Sequence, residues 1–281
     1  MQASFPDGKS QIKADILLIA ALNKELDWFK KTMGIPFEPF LLEGTSYLHG
    51  ILRNGDREIT IVAVRQLEMG LTSAAVMATK SICLWQPAIV VMSGICAGVK
   101  SFTQLGDLVV ASQCFEHISG QLVEGEMLPR QKWITLEHWF LDYLMSFTDS
   151  GICQPAIQGG YAGLLPADFT MQIHYGSMAC GPVVIKDADY VAKLRRREQS
   201  LIAFDMESYG VALAATMCST AVKPIHAVIV KGVVDFADNS KNDQWHDYAA
   251  YASAAFIKQI LELTFDRPVA FGKLTGSGGH D

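Results

Sequence analysis

The chain has 281 residues, 50% hydrophobic and 19% charged, enough to bury a large core in one domain. A formal net charge of −6 supplies no broad attraction to nucleic acid or anionic lipid, so neither is expected as a partner. The longest apolar run, Ala88 to Val99, contains two glycines and falls short of the ~20 residues that span a bilayer, and the polar start lacks an apolar signal core, so a cytoplasmic protein is expected.

In chain order, a polar tail is expected over residues 1–13. "ADILLIAAL" then reads as a strand and "NKELDWFKKTM" as an amphipathic helix. "REITIVAVRQ" (strand), "LTSAAVMATKSICLW" (helix), "PAIVVMSGI" and "GDLVVASQ" (strands) follow. From about Gly120 to Gly160, "WITLEHWFLDYLMSF" suggests an inserted helix with loops lying over the sheet. "GPVVIKD" reads as a further strand, "KDADYVAKLRRRE" as a helix, "LIAFDME" as a strand and "ESYGVALAATMCS" as a helix. "IHAVIVKGVVDF" completes the strands and "NDQWHDYAAYASAAFIKQILELTF" is a long helix, before a polar tail over 267–281. Several strands are continuously apolar, as expected of strands covered on both faces. The pattern predicts an α/β fold over 14–266, a three-layer αβα sandwich around a mixed, largely parallel twisted sheet. The six cysteines form no CxxC pair and read as reduced thiols rather than a disulfide or zinc framework; no metal or cofactor is expected.

Open α/β sheets bind ligands at the carboxyl ends of their strands, so the strand ends are where chemistry is sought. The first ends in "AALNKEL", which puts Glu25 in the first turn of a helix, where an acid also complements the helix dipole. "VMSGICAGVK" ends in a turn where Gly94 and Gly98 allow close approach of a ligand to backbone, or simply a tight turn; it matches neither the dinucleotide nor the P-loop fingerprint. "AFDMESYGVA" spaces Asp205 and Glu207 by one residue as a strand becomes a helix, either as helix-capping acids or as paired carboxylates for a sugar diol. "VVDFADNS" delivers Asp235 to the mouth of a hydrophobic strand, a costly place for an acid unless it caps a helix or works with an altered pKa. The basic run Lys193 to Arg197 reads first as a solvated helix face and second as a site for an anionic tail.

Taken together and in order, "ILLIAALNKEL", "VVMSGICAGV", "HYGSMACGPVVIKD", "AFDMESYGVA" and "VIVKGVVDFADNSKNDQW" resemble the superfamily of purine nucleoside phosphorylases and methylthioadenosine/S-adenosylhomocysteine nucleosidases, and most nearly its stand-alone or effector-type nucleosidase domains. The resemblance implies a nucleoside phosphorylase-like fold, a homo-oligomer and a small purine nucleoside or nucleotide as substrate. It implies Asp235 as the acid that assists departure of the purine, Met206 and Glu207 as the grip on ribose, and Glu25 as the group that activates water. Gly94, Ile95, Asp205, Val184 and Ile185 are the further substrate-binding residues it implies, with Val184 where an aromatic commonly stacks on the base.

The arginines that hold phosphate in the phosphorylase branch are missing from "AALNKE" and "VVMSG", where Lys24 is the one positive charge and Glu25 would repel phosphate. Hydrolysis of an adenine nucleoside or nucleotide is therefore the favoured reading. Phosphorolysis, an ATP- or AMP-cleaving effector, and a non-catalytic nucleotide-binding module are the alternatives.

Overall fold

The computed structural model describes residues 13–124, 126–238 and 243–266. Apart from Lys13, both expected tails lie outside the described residues. Strand β1 (Ile16–Ala20), buried at every position, runs into α1 (Asn23–Met33). A hairpin of β2 (Glu38–Leu42) and β3 (Thr45–Asn54) precedes β4 (Arg57–Arg65), followed by α2 (Leu71–Trp85), β5 (Ile89–Gly98) and β6 (Leu108–Glu116). The chain then forms β7 (Gly120–Val123), β8 (Glu126–Pro129), β9 (Trp133–Thr135), α3 (His138–Thr148) and α4 (Cys153–Gly159). It continues through β10 (Ile173–Cys180), α5 (Ala188–Arg197), β11 (Leu201–Asp205), α6 (Ser208–Cys218) and β12 (His226–Asp235). A 3-10 turn at Asp243–Trp245 leads into α7 (His246–Asp266).

The main sheet runs β11-β10-β6-β12-β5-β1-β4-β3-β2, with α1 and α7 packed together on one face and α2 and α6 on the other. Its centre is parallel: β1 lies between β4 and β5, and β12 pairs with β5 in the same sense. Antiparallel pairs occur at the edge hairpin, where β12 meets β6 and where β9 meets β6. This is the expected mixed α/β fold, with one addition that periodicity does not reveal. The far end of β5 bends to pair antiparallel with β11 through Ala97↔Phe204 and Gly98↔Ala203, so five strands close on themselves. That closure brings the carboxyl ends of β1, β5, β11 and β12 around one space.

Two expectations are corrected, and one element had no counterpart in the sequence reading. "GPVVIKD" is a loop: Pro182 has no N–H for a ladder, and Val183 and Val184 are exposed, 46% and 67%. The strand lies just upstream in "IHYGSMAC", whose Gly and Ser mask it. The segment after Gly120 is more than a helix with loops, because β7 and β8 form their own ribbon, β9 extends the main sheet beside β6, and two helices follow. The β2–β3 hairpin, with a half-exposed edge strand, had too little apolar signal to be anticipated.

Candidate active site

A cavity of about 210 Å³ opens at those strand ends, lined by Glu25, Ile95, Asp205, Met206, Glu207 and Asp235, with Val183, Val184, Ile185 and Phe204 among its apolar wall. None of the described residues lining it is basic.

Glu25, 4% exposed, is held by three backbone donors. Its Oε2 accepts N–H bonds from Ala21 and Leu22, both at 2.9 Å, which closes the first turn of α1, and its Oε1 accepts the Ile95 N–H at 2.9 Å. The helix-start role and the site role are thus one arrangement. The glycine at 94 has a reason here: a Cβ at this position would lie 1.9 Å from Glu25 Oε1. The missing side chain seats the carboxylate, and Gly94 is not among the cavity's lining residues.

Asp205 ends β11 and turns back to receive the Ser208 N–H at 3.1 Å on Oδ2, with the Ser208 hydroxyl also donating to it. It therefore secures the start of α6 while lining the cavity. Glu207, 5% exposed, accepts the Gly70 N–H at 2.9 Å and so joins the residue that precedes α6 to the one that precedes α2. Burial pushes its carboxyl up to about 7; the Lys231 ammonium pulls the other way, and the charge of Asp205 adds to the rise.

Asp235 reaches the cavity through an irregularity in the strand. The pairing of β12 with β5 runs Val233↔Cys96 and then Asp235↔Ala97, so Val234 is an extra residue, and Val234 and Asp235 both face the cavity. Asp235 Oδ1 accepts the Ala237 N–H at 2.9 Å, with Ala237 at φ +55°, a tight turn that holds the acid at the strand mouth.

Lys231 was missed by the sequence reading. It is 0% exposed on β12, with its Nζ 3.5 Å from Asp205 Oδ2 and in no well-formed hydrogen bond to a protein acceptor. Burial alone would lower its pKa, but Glu25, Asp205 and Glu207 outweigh burial and hold the ammonium above its usual range. It is the counter-charge of the acid cluster. The available signal was one lysine in the otherwise apolar run from Ala227 to Val234.

The apolar wall carries an aromatic at a place not foreseen. Position 184 is a valine on an exposed loop, while Phe204 lines the cavity from β11. Behind Phe204 packs His117, whose Nδ1 meets the Tyr190 hydroxyl at 2.8 Å and whose burial lowers its pKa to about 4, so the ring is neutral at physiological pH.

The basic run of α5 does not reach this space. Arg195 donates to the Leu201 carbonyl at 3.1 Å and sits 3.9 Å over the Phe102 ring, and no basic residue of the run lines the cavity. Lys24 is committed to Asp247 at 3.1 Å. Among the described residues no group of three His, Cys, Asp or Glu side chains is placed to hold a metal.

A closed α/β sheet whose strand ends converge on an acid cluster beside an apolar wall defines a small-molecule site suited to a polar sugar joined to a flat apolar base. The family follows: residues 15–262 match the phosphorylase superfamily, and the chain belongs to it. Among relatives, it is 28% identical to the protein y4jS of Sinorhizobium fredii, over 91% of this chain and 63% of that protein. It is 24% identical to the ATP nucleosidase Cap17 of Escherichia coli, over 88% of this chain and 51% of that protein. The chain thus spans between half and two thirds of these relatives' length. Among solved structures, the 5'-methylthioadenosine/S-adenosylhomocysteine nucleosidase of Helicobacter pylori superposes with a TM-score of 0.70 at 17% identity, covering 90% of this chain and 99% of the other.

Proposed function

We propose that this protein is a purine nucleosidase that hydrolyses the N-glycosidic bond of an adenine nucleoside. The observation that carries this reading is the charge of the cavity: four carboxyl groups and no cation among the described lining residues, with the buried Lys231 already matched by acids. Such a site suits water as the nucleophile and repels inorganic phosphate, which supports hydrolysis over phosphorolysis.

Breaking the bond builds positive charge on the ribose and negative charge on the departing base, as in glycoside hydrolysis. In this reading Asp235, at the mouth of β12, donates a proton or hydrogen bond to the purine. Glu207 accepts from the ribose hydroxyls and lies close to the developing cation. Glu25, pinned by three N–H groups, orients the water. Lys231 keeps the three neighbouring acids from expelling one another, and Val183, Val184, Ile185 and Phe204 cover the base. Two acids on opposite sides of the sugar divide the work, each proton transfer contributing ~10²–10⁴-fold.

A second reading, cleavage of an adenine nucleotide, is favoured by similarity to the ATP nucleosidase Cap17. The absence of basic residues among the described cavity lining favours the nucleoside. Homo-oligomerisation is proposed from the family. The test is chromatography of base and sugar after incubation with methylthioadenosine, S-adenosylhomocysteine, adenosine, inosine, AMP and ATP, each with and without phosphate. Adenine released without phosphate is the expected result; release only with phosphate, or none at all, overturns it.

A further inference from the structure

At the opposite, amino end of the sheet lies a second cavity of about 560 Å³ whose lining includes Cys83, Cys218, Lys223 and Asp15. Cys83 is exposed near the end of α2, and Cys218 is the partly exposed last residue of α6. Both thiols line this one cavity, each near the carboxyl end of its helix. The other four cysteines include Cys96, Cys114, Cys153 and Cys180, all buried.

The two helices that carry the exposed pair are packed along their length. Near their starts the contact is so close that a Cβ on Gly210 would lie 2.4 Å from the Leu71 carbonyl oxygen. There the Gly70 N–H reaches Glu207. The helices therefore begin together at the acid cluster and end together at the thiols.

We propose that Cys83 and Cys218 form a peroxide-sensitive dithiol, which closes to a disulfide that covalently ties α2 to α6. The oxidant is hydrogen peroxide or an organic hydroperoxide. The exposed Cys83 attacks as thiolate, the O–O bond breaks, and Cys83 becomes a sulfenic acid with release of water or alcohol. Cys218 then attacks that sulfur and a water molecule leaves, so the two thiols give up two electrons and the peroxide accepts them. Cys83 is the exposed thiol and Cys218 the partly covered one, so peroxide reaches Cys83 first. No third ligand completes a metal site among the described residues, so the pair has the chemistry of a dithiol and not of a zinc centre.

The full chain is reduced, freed of reductant, treated with hydrogen peroxide, blocked with an alkylating agent and mapped by mass spectrometry without reduction. The expected result is a Cys83–Cys218 linked peptide, two hydrogens lighter than the free pair, that disappears on adding dithiothreitol. Cys83→Ser and Cys218→Ser each abolish it, and the buried cysteines stay unlinked. Chains cross-linked to one another through Cys83, or Cys83 carried to sulfinic acid with Cys218 still alkylatable, overturn it.

Discussion

The two cavities at opposite ends of the sheet differ in a way that volume misreports. The one at the amino ends is larger, about 560 against 210 Å³, yet its polar groups are satisfied or near solvent: Lys223 donates to Gln86 Oε1 at 2.7 Å and Asp15 accepts the Thr60 N–H at 2.8 Å. The smaller one is lined by Glu25 and Glu207, each at most 5% exposed, beside Asp205 and Asp235, with the fully buried Lys231 behind Asp205. Burying several like charges around one counter-ion costs stability, and a fold that does so has placed chemistry there. Size alone would point to the other end.

The contrast can be broken most directly at Asp235. Asp235→Asn keeps an oxygen for the Ala237 N–H but cannot donate the same proton, so adenine release should fall ~10²–10⁴-fold with ligand affinity largely kept, measured by turnover and calorimetry side by side. An unchanged rate would remove Asp235 from the mechanism.

Next comes Lys231→Met, which leaves the buried carboxylates without a counter-charge. Urea unfolding should show a loss of ~3–5 kcal/mol. Because Lys231 lowers the pKa of Glu207, the pH dependence governed by Glu207 should move to higher pH in any folded fraction.

Glu207 gives an effect of intermediate size and opposite signs in its two readouts. Its folded pKa of about 7 lies above the ordinary 4.5, so the folded chain holds an extra proton between those values. Stability should therefore decrease as pH rises from about 4.5 to about 7, by at most on the order of 3 kcal/mol. Glu207→Gln should abolish that slope and raise the thermal midpoint at pH 8 relative to the parent. Activity should instead rise with pH through about 7 in the parent, because the ribose grip needs the carboxylate, and be low and flat in the variant.

The smallest effect belongs to the other cavity. Lys223→Ala should change stability by no more than ~0.5 kcal/mol and leave adenine release within twofold of the parent. A large loss of activity there would undo the contrast between the two ends.

Particular elements show how far the chain could be read without its structure. The spacing of "NKELDWFKKTM" and "LTSAAVMATKSICLW" marked α1 and α2 at their observed limits, because one-sided burial imposes a helical period. "GPVVIKD" misled because apolar residues serve equally as strand core and as cavity wall, and only Pro182 hinted at the second. Gly94 stands out in the sequence, but its reason is the Glu25 carboxylate, which the fold brings from the start of α1 to the end of β5, a contact with no local signature.

From its residues alone this chain determined a mixed α/β fold and the acids at its strand ends, since hydrophobic period and the position of a charge after an apolar run are local properties. Tertiary structure decided that Lys231 is their counter-charge, that a bulge at Val234 turns Asp235 into the cavity, and that β5 curls onto β11 to bring four strand ends together. Each of these depends on which strands become neighbours, and the burial and Coulomb energies that result exist only after the chain has closed.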